Sequence, residues 1–230
     1  MPDLAAPAPP PHFLTEVESK ELLGAAGIPV IPARLARTAT EASSIATELG
    51  FPVVLKVVAR DITHKSDVGG VELGLADVAS VLAAYDRIMA NAATAAPGTD
   101  ITGVSVQPMA HPGIEVIIGM TTDPQFGPVI MFGLGGIMVE VLRDVAFRLI
   151  PLDPRDAHEI VREIKAFQVL EGVRGRAPAD IAALEQLVLD VSAFADAHPE
   201  VAEIDLNPVF AYEDGAVAVD ARVMLADRPR

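Results

Sequence analysis

Apolar positions along the chain alternate between helical stripes and short continuous runs, punctuated by glycine and proline. Val17, Leu22 and Leu23 form one stripe of a helix that Thr15 and Glu18, spaced as a capping box, would open and Gly27 would close. Thr38 and Glu41 repeat the signal ahead of Ile45 and Leu49, with Gly50 at the end, and Pro52 then leads a buried-strand run of Val53, Val54 and Leu55. Val71 to Leu75 reads as a strand. Asp77 to Ala93 reads as an alanine-rich helix carrying Val78, Val81, Leu82, Tyr85 and Ile88. From Thr102 the pattern changes: Val104 to Met109, Glu115 to Met120 and Val129 to Phe132 are strand-like runs joined by glycine- and proline-bearing connections, pointing to an antiparallel meander. Helices from Pro154 to Phe167 and from Pro178 to His198 are expected before closing strands around Ile204 and over Val217 to Asp220. The order fits an α+β or mixed α/β fold.

Composition narrows the class. With 230 residues, 51% of them hydrophobic, the chain can bury a substantial core. The prolines from Pro7 to Pro11 make residues 1–13 a loose tail, with the folded body starting near Phe13 or Leu14. Seventeen Lys and Arg against 32 Asp and Glu give a formal charge of -15, which opposes unspecific attraction to nucleic acid or anionic lipid. There is no cysteine, so disulfides, thiolate metal sites and cysteine nucleophiles are excluded, and a cytoplasmic location is expected. The start lacks a secretory signal, and the apolar segment Val129 to Val141 is broken by Gly133, Gly135 and Gly136, too short for a bilayer core of about 30 Å.

Three places carry candidate chemistry. Lys56 lies inside the apolar run PVVLKVVA, where a buried ammonium needs an anion or a surface outlet; an edge-strand lysine reaching solvent is the alternative. The segment HKSDVGGVEL, His64 to Leu73, offers paired glycines that could turn backbone amides toward a phosphate, although such a pair is also an ordinary turn. EIDLNP, Glu203 to Pro208, is followed by Asp220 in AVAVDARV; Asn207 and Asp220 on neighbouring strands would suit magnesium, or else shape a turn and an ion pair with Arg222 or Arg148.

With VQPM (Val106 to Met109), Glu115 and FGLGG (Phe132 to Gly136), these segments come in an order that resembles the ATP-grasp β subunit of ADP-forming acyl-CoA synthetases, and more distantly the β subunit of succinyl-CoA synthetase. The resemblance runs from about Thr15 to Leu225. It implies an ATP-grasp fold of two lobes clasping a nucleotide: a smaller lobe, 30–108, with Lys56 and the glycine loop, and a main lobe, 14–29 plus 109–230, with the metal site. It implies that Lys56 contacts the phosphates of ATP or ADP, that Gly69, Gly70 and Val71 cover them, that Gln107, Pro108 and Met109 bind the adenine edge through backbone groups, and that Glu115 reaches the ribose. Gly135 and Gly136 join the nucleotide site, and Asn207 and Asp220 hold Mg2+.

The implied enzyme is an acid-thiol ligase subunit that moves a phosphoryl group between phosphohistidine and ADP, so that acyl-CoA, ADP and phosphate give acid, CoA and ATP. His64 is the candidate second phosphohistidine, or a simple hydrogen-bond donor to phosphate. A CoA-binding α subunit, in an α2β2 assembly, is the expected partner. Two other readings stand open: an ATP-sensing regulatory module associated with a protein lysine acyltransferase, and a stand-alone carboxylate-amine ligase. Asp123 to Gly127, Glu140, Asp144 and Arg148 are equally compatible with structural roles.

Overall fold

The structure, a computed structural model, describes residues 12–60, 62, 64–136, 144–173 and 177–226. Glu140 and residues 1–11 of the proline-rich tail lie outside the described residues. Among those described, eleven strands and five α-helices form two compact units: Thr15–Pro112, and Gly113 onward together with the chain up to Leu14.

In the first unit, α1 (Glu16–Ala25) opens as its sequence requires. The Thr15 hydroxyl accepts from the Glu18 N–H at 3.3 Å, and the Glu18 carboxylate accepts from the Thr15 N–H at 2.7 Å. After β1 (His12–Phe13), which belongs to the other unit, come β2 (Arg34–Ala36), α2 (Ala39–Leu49), β3 (Val53–Ala59), β4 (Val71–Leu75), α3 (Val78–Ala95) and β5 (Ile101–Pro108). The sheet order is β2-β5-β3-β4, antiparallel throughout. Periodicity alone grouped strand β5 with the later meander, whereas the lobe 30–108 includes it; it inserts between β2 and β3. Its Val104 and Val106 complete the core under α2 and α3.

Strand β3 is buried along its whole length, which explains an apolar run interrupted only by Lys56. Val53, Leu55, Val57 and Ala59 point to α2 and α3. Alternation sends Val54, Lys56 and Val58 to the other face, where Val58 packs with Val17 of α1 and with Ala33. Each fully buried Val or Leu here contributes about 1.5–3 kcal/mol.

The second unit holds β6 (Ile114–Asp123), β7 (Gly127–Leu134), β8 (Val145–Leu149), α4 (Pro154–Glu163), a 3-10 turn (Phe167–Val169), α5 (Ile181–Ala197), β9 (Val201–Tyr212), β10 (Gly215–Ala218) and β11 (Ala221–Leu225). Its sheet runs β1-β11-β9-β6-β7-β8, with β10 on β9, again antiparallel. The helices α4 and α5 lie on the sheet, and Ile118, Ile130, Phe132, Ile204 and Leu206 are buried with Ile160, Leu184 and Leu187. Helix α4 stops short of the expected Phe167. The Asp144 carboxylate accepts the Lys165 and Ala166 N–H groups, both at 2.8 Å, and turns the chain there.

The sequence placed 14–29 with 109–230, and the structure divides the chain otherwise. Helix α1 sits with the strand bearing Lys56, to which its charged side chains are bound. The change of unit falls after Pro112, because the Met109 N–H is tied to the Pro52 carbonyl at 3.1 Å. No helix among the described residues is long and apolar enough to cross a membrane.

Candidate functional site

Lys56 is not at a sheet edge, so the solvent-reaching alternative fails. Its strand lies between β4 and β5, and the residue is only 6% exposed. Its Nζ donates to Glu16 Oε1 at 2.7 Å. Lys20, one helical turn along α1, reaches the same oxygen at 2.9 Å and also donates to the Gln107 side-chain oxygen at 2.6 Å. Lys65, from the glycine loop, lies 3.0 Å from Glu16 Oε2, an ion pair without the alignment of a hydrogen bond. Three ammonium groups from three segments therefore converge on one buried carboxylate. Burial pushes the Glu16 carboxyl upward, but Lys56, Lys20 and Lys65 outweigh it and hold it well below the usual carboxylate range.

The neighbouring side chains are polar for the same reason. Ser105 pairs with Lys56 in the ladder and Gln107 with Val54, so both emerge on the Lys56 face while Val104 and Val106 enter the opposite core. Gln107 is thus an internal partner of Lys20 through its side chain. The Met109 N–H is already engaged by Pro52, so only carbonyl groups of Pro108 and Met109 could receive a donor from a base.

The glycine loop differs from its expected role. Gly70 N–H donates to the Lys65 carbonyl at 2.8 Å and Gly69 N–H to the Ser66 carbonyl at 3.1 Å, so neither amide is turned outward to an anion. The glycines serve close packing. A Cβ at Gly70 would lie 2.5 Å from Val57 Cγ1 and 2.9 Å from the Lys65 carbonyl oxygen; Gly69 has φ 63° with Asn91 against it. The Gly70 carbonyl accepts from the Val57 N–H at 2.7 Å, and Val71 continues as the ladder partner of Lys56, which delivers Lys65 to Glu16. His64 is exposed at the start of this loop.

In the second unit, Glu115 and the FGLGG turn are brought together. The Gly135 N–H donates to the Glu115 carbonyl at 2.7 Å, and a Cβ at Gly136 would lie 2.9 Å from Glu115 Oε2. Both glycines leave room for that exposed carboxylate.

Asn207 and Asp220 also meet. The register Arg222 to Asp205 and Ala221 to Leu206, with the Val219 N–H on the Pro208 carbonyl at 2.9 Å, sets Asp220 opposite Asn207. Because Ile204 and Leu206 enter the helix-covered core, Asp205 and Asn207 emerge on the opposite face. The Asp205 carboxyl is pushed up by burial and then by the charges of Asp220 and Glu203, with Arg222 acting the other way. Crowded oxygen donors of this kind fit a divalent cation, which would relieve the repulsion. Among the described residues no group of three or more acidic or histidine side chains is arranged to hold a metal alone. An amide and a carboxylate on neighbouring strands are a donor set that fits magnesium, which uses one or two carboxylates and shares its other positions with water and phosphates.

Asp123 accepts the Gln125 and Phe126 N–H groups at 2.7 and 3.0 Å and shapes the β6–β7 turn. Arg148 pairs with Glu163 at 2.6 Å and Glu159 at 3.8 Å on the surface. The sequence reading missed Glu16, Lys20, Lys65 and Asp205. The available signal was the spacing of Glu16, Lys20 and Leu23, which puts both charges on the face that Leu23 buries.

A family model for the ATP-grasp domain matches residues 6–225. The chain is 49% identical over 212 residues to the "Acetate--CoA ligase [ADP-forming] I subunit beta" of Pyrococcus furiosus, covering 92% of this chain and 91% of that one. It is 50% identical over 210 residues to the "Acetate--CoA ligase [ADP-forming] I" of Archaeoglobus fulgidus, covering 91% of this chain but 30% of that longer protein. Among solved structures, the dinucleotide forming acetyl-coenzyme A synthetase 1 of Ca. Korarchaeum cryptofilum, in complex with coenzyme A, Ca-AMPCP and HgCl+, aligns with TM-score 0.91 at 46% identity over 93% of each chain. The same synthetase with coenzyme A and Mg-AMPPCP, its phosphohistidine segment pointing towards the nucleotide binding site, aligns with TM-score 0.82 at 44% identity, again over 93% of each chain.

Proposed function

The chain belongs to the ATP-grasp family and is homologous to the β part of ADP-forming acetate–CoA ligases, and from that premise we propose that it carries the nucleotide site of an ADP-forming acyl-CoA synthetase. The observation that carries the reading is the convergence of Lys20, Lys56 and Lys65, positive charge assembled inside a chain of formal charge -15. Phosphoryl transfer depends mainly on positioning and charge neutralisation, which such a cluster supplies.

In this reading Lys56, with Lys20 and Lys65 beside it, receives the phosphates of ADP or ATP. The loop of Gly69, Gly70 and Val71 holds Lys65 in place rather than offering its own amides. Carbonyls of the Gln107 to Met109 segment accept from the adenine, and Glu115, given room by Gly135 and Gly136, binds the ribose. Asn207 and Asp220, with Asp205 beside them, hold Mg2+, which when bound neutralises charge on the phosphates. The phosphoryl group leaves a histidine nitrogen as the P–N bond breaks, and a P–O bond forms to the terminal phosphate oxygen of ADP. His64 serves as the local relay for that group. The CoA and acyl chemistry falls to a CoA-binding α partner, in keeping with relatives that are separate β subunits or longer chains; an assembly of two copies of each chain is part of the proposal.

Calorimetric titration of the chain with ADP, with and without Mg2+, tests the site. We expect magnesium-enhanced binding, a loss of about tenfold or more in Lys56→Ala, and in Asp220→Ala the loss of the magnesium effect alone. With the α partner added, ATP should form from acetyl-CoA, ADP and phosphate, and His64→Asn should suppress it. Full ATP formation by His64→Asn would remove the relay from the proposal, and wild-type chain that binds no nucleotide even with its partner would overturn the reading.

A further inference from the structure

Strand β4 does not pair evenly with β3. Val53 stands opposite Leu75 and Leu55 opposite Glu72, so that Val54 alone faces both Leu73 and Gly74. This β-bulge passes through Gly74 at φ 67°, a backbone conformation that glycine adopts freely. Leu75 lies in the helix-covered core with Val53, and Glu72 accepts from Arg87 Nε of α3 at 2.8 Å. Leu73 and Gly74, between them, therefore both turn to the opposite face, the one that carries Lys56. Met109 reaches the same face from the end of β5, since Gln107 emerges there and Pro108 does not. A Cβ at Gly74 would lie 3.8 Å from Met109 Sδ.

The bulge leaves apolar surface open to solvent. Leu73 is 64% exposed, more than any other large apolar side chain among the described residues of the first unit, and Met109 is 39% exposed. One exposed leucine is ordinary. This one stands beside a second apolar side chain and close to the Pro108 and Met109 carbonyls. Lys56 lies on the same face two residues along β3 from Val54, about 7 Å in an extended strand. The surface thus changes over a short distance from apolar, with hydrogen-bond acceptors at its margin, to cationic. A matching ligand is flat and apolar at one end, with amino donors on its rim, and anionic at the other. We propose that Leu73 and Met109 form the seat on which the flat face of the purine base of ADP or ATP rests. The inference rests on the nucleotide reading above and deepens it, adding the apolar contact that supplies affinity to the carbonyls that fix orientation. The Met109 thioether suits an aromatic ring, and the bulge holds Leu73 on this face where even pairing would place one residue fewer.

The experiment is calorimetric titration of the full chain with ADP and, separately, with inorganic pyrophosphate, at a magnesium concentration that keeps pyrophosphate soluble. Wild type, Leu73→Ser, Leu73→Met and Met109→Ala are compared, with circular dichroism to confirm folding. The wild type should bind ADP more tightly than pyrophosphate. Leu73→Ser should lose about tenfold in ADP affinity, the order expected when an apolar side chain that the base would cover is removed. Its affinity for pyrophosphate should stay at the wild-type level, because the phosphates meet the lysines and not the seat. Met109→Ala should show the same split, and Leu73→Met, which keeps the apolar surface, should restore ADP binding. A purely structural role for Leu73 would weaken both ligands alike, and that result overturns the seat. So does unchanged ADP affinity in Leu73→Ser, including the case in which the variant instead binds the α partner less well and the patch proves to be a subunit contact. Wild-type chain that binds pyrophosphate as tightly as ADP removes the seat and leaves the phosphate cluster standing. Wild-type chain that binds neither removes the nucleotide reading and this inference with it.

Discussion

At the scale of single residues, the stability of the chain should report on Glu16 directly. Its carboxyl is held below its ordinary value of 4.5, so between the folded and unfolded values the unfolded chain binds a proton that the folded chain does not. Stability from this group is complete above about pH 4.5 and is lost as pH falls toward the depressed folded value. Thermal melts from pH 7 down to pH 3 should therefore show an acid-side decline in the wild type that is shallower in Glu16→Gln. The variant should already be less stable by roughly 3–5 kcal/mol at neutral pH, because one charged member of a buried ion cluster is removed. Equal slopes in the two proteins would mean that other carboxylates govern the acid limb. The sequence showed Lys56 as an anomaly that demanded an anion. It did not show that an anion was supplied by the protein itself, because Glu16 and Lys20 at a spacing of four look like an ordinary surface pair.

At the scale of elements, the segment from His64 to Val71 acts through its packing. Gly70→Ala should destabilise the protein by about 1–3 kcal/mol, since the added carbon meets Val57 and the backbone of Lys65 rather than a side-chain tip that could move. The same change displaces Lys65, so ADP affinity should fall more in Gly70→Ala than in Gly69→Ala, where the obstruction is the amide end of Asn91. Calorimetry and denaturant titration of the pair would check this order, and the reverse order would mean that the loop acts through its exposed backbone. Helix ends were legible because capping is local: Thr15 and Glu18, Thr38, and Gly50 each do what their spacing implies. Strand β5 was legible as a strand from its periodicity, which grouped it with the later meander, while the resemblance grouped it with 30–108; its pairing with β2 and β3 joins residues far apart in the chain and leaves no local mark.

At the scale of the whole molecule, the two units have separate cores, and perturbing one should leave the other in place. Hydrogen exchange on Glu16→Gln should show amides of β3 and β5 exchanging about tenfold faster or more, while those of β6, β7 and β9 keep wild-type protection. Faster exchange throughout would show that the units open as one.

By itself the sequence determined the local structure and the family: hydrophobic period, caps and turn residues act within a few positions, and the motifs from Lys56 to Asp220 carry the ATP-grasp resemblance in their order. Tertiary structure alone decided which groups meet. Glu16 with three lysines and Glu115 with Gly135 and Gly136 are contacts set by strand register and helix docking, and a charge whose partner lies 40 residues away carries no local mark of it.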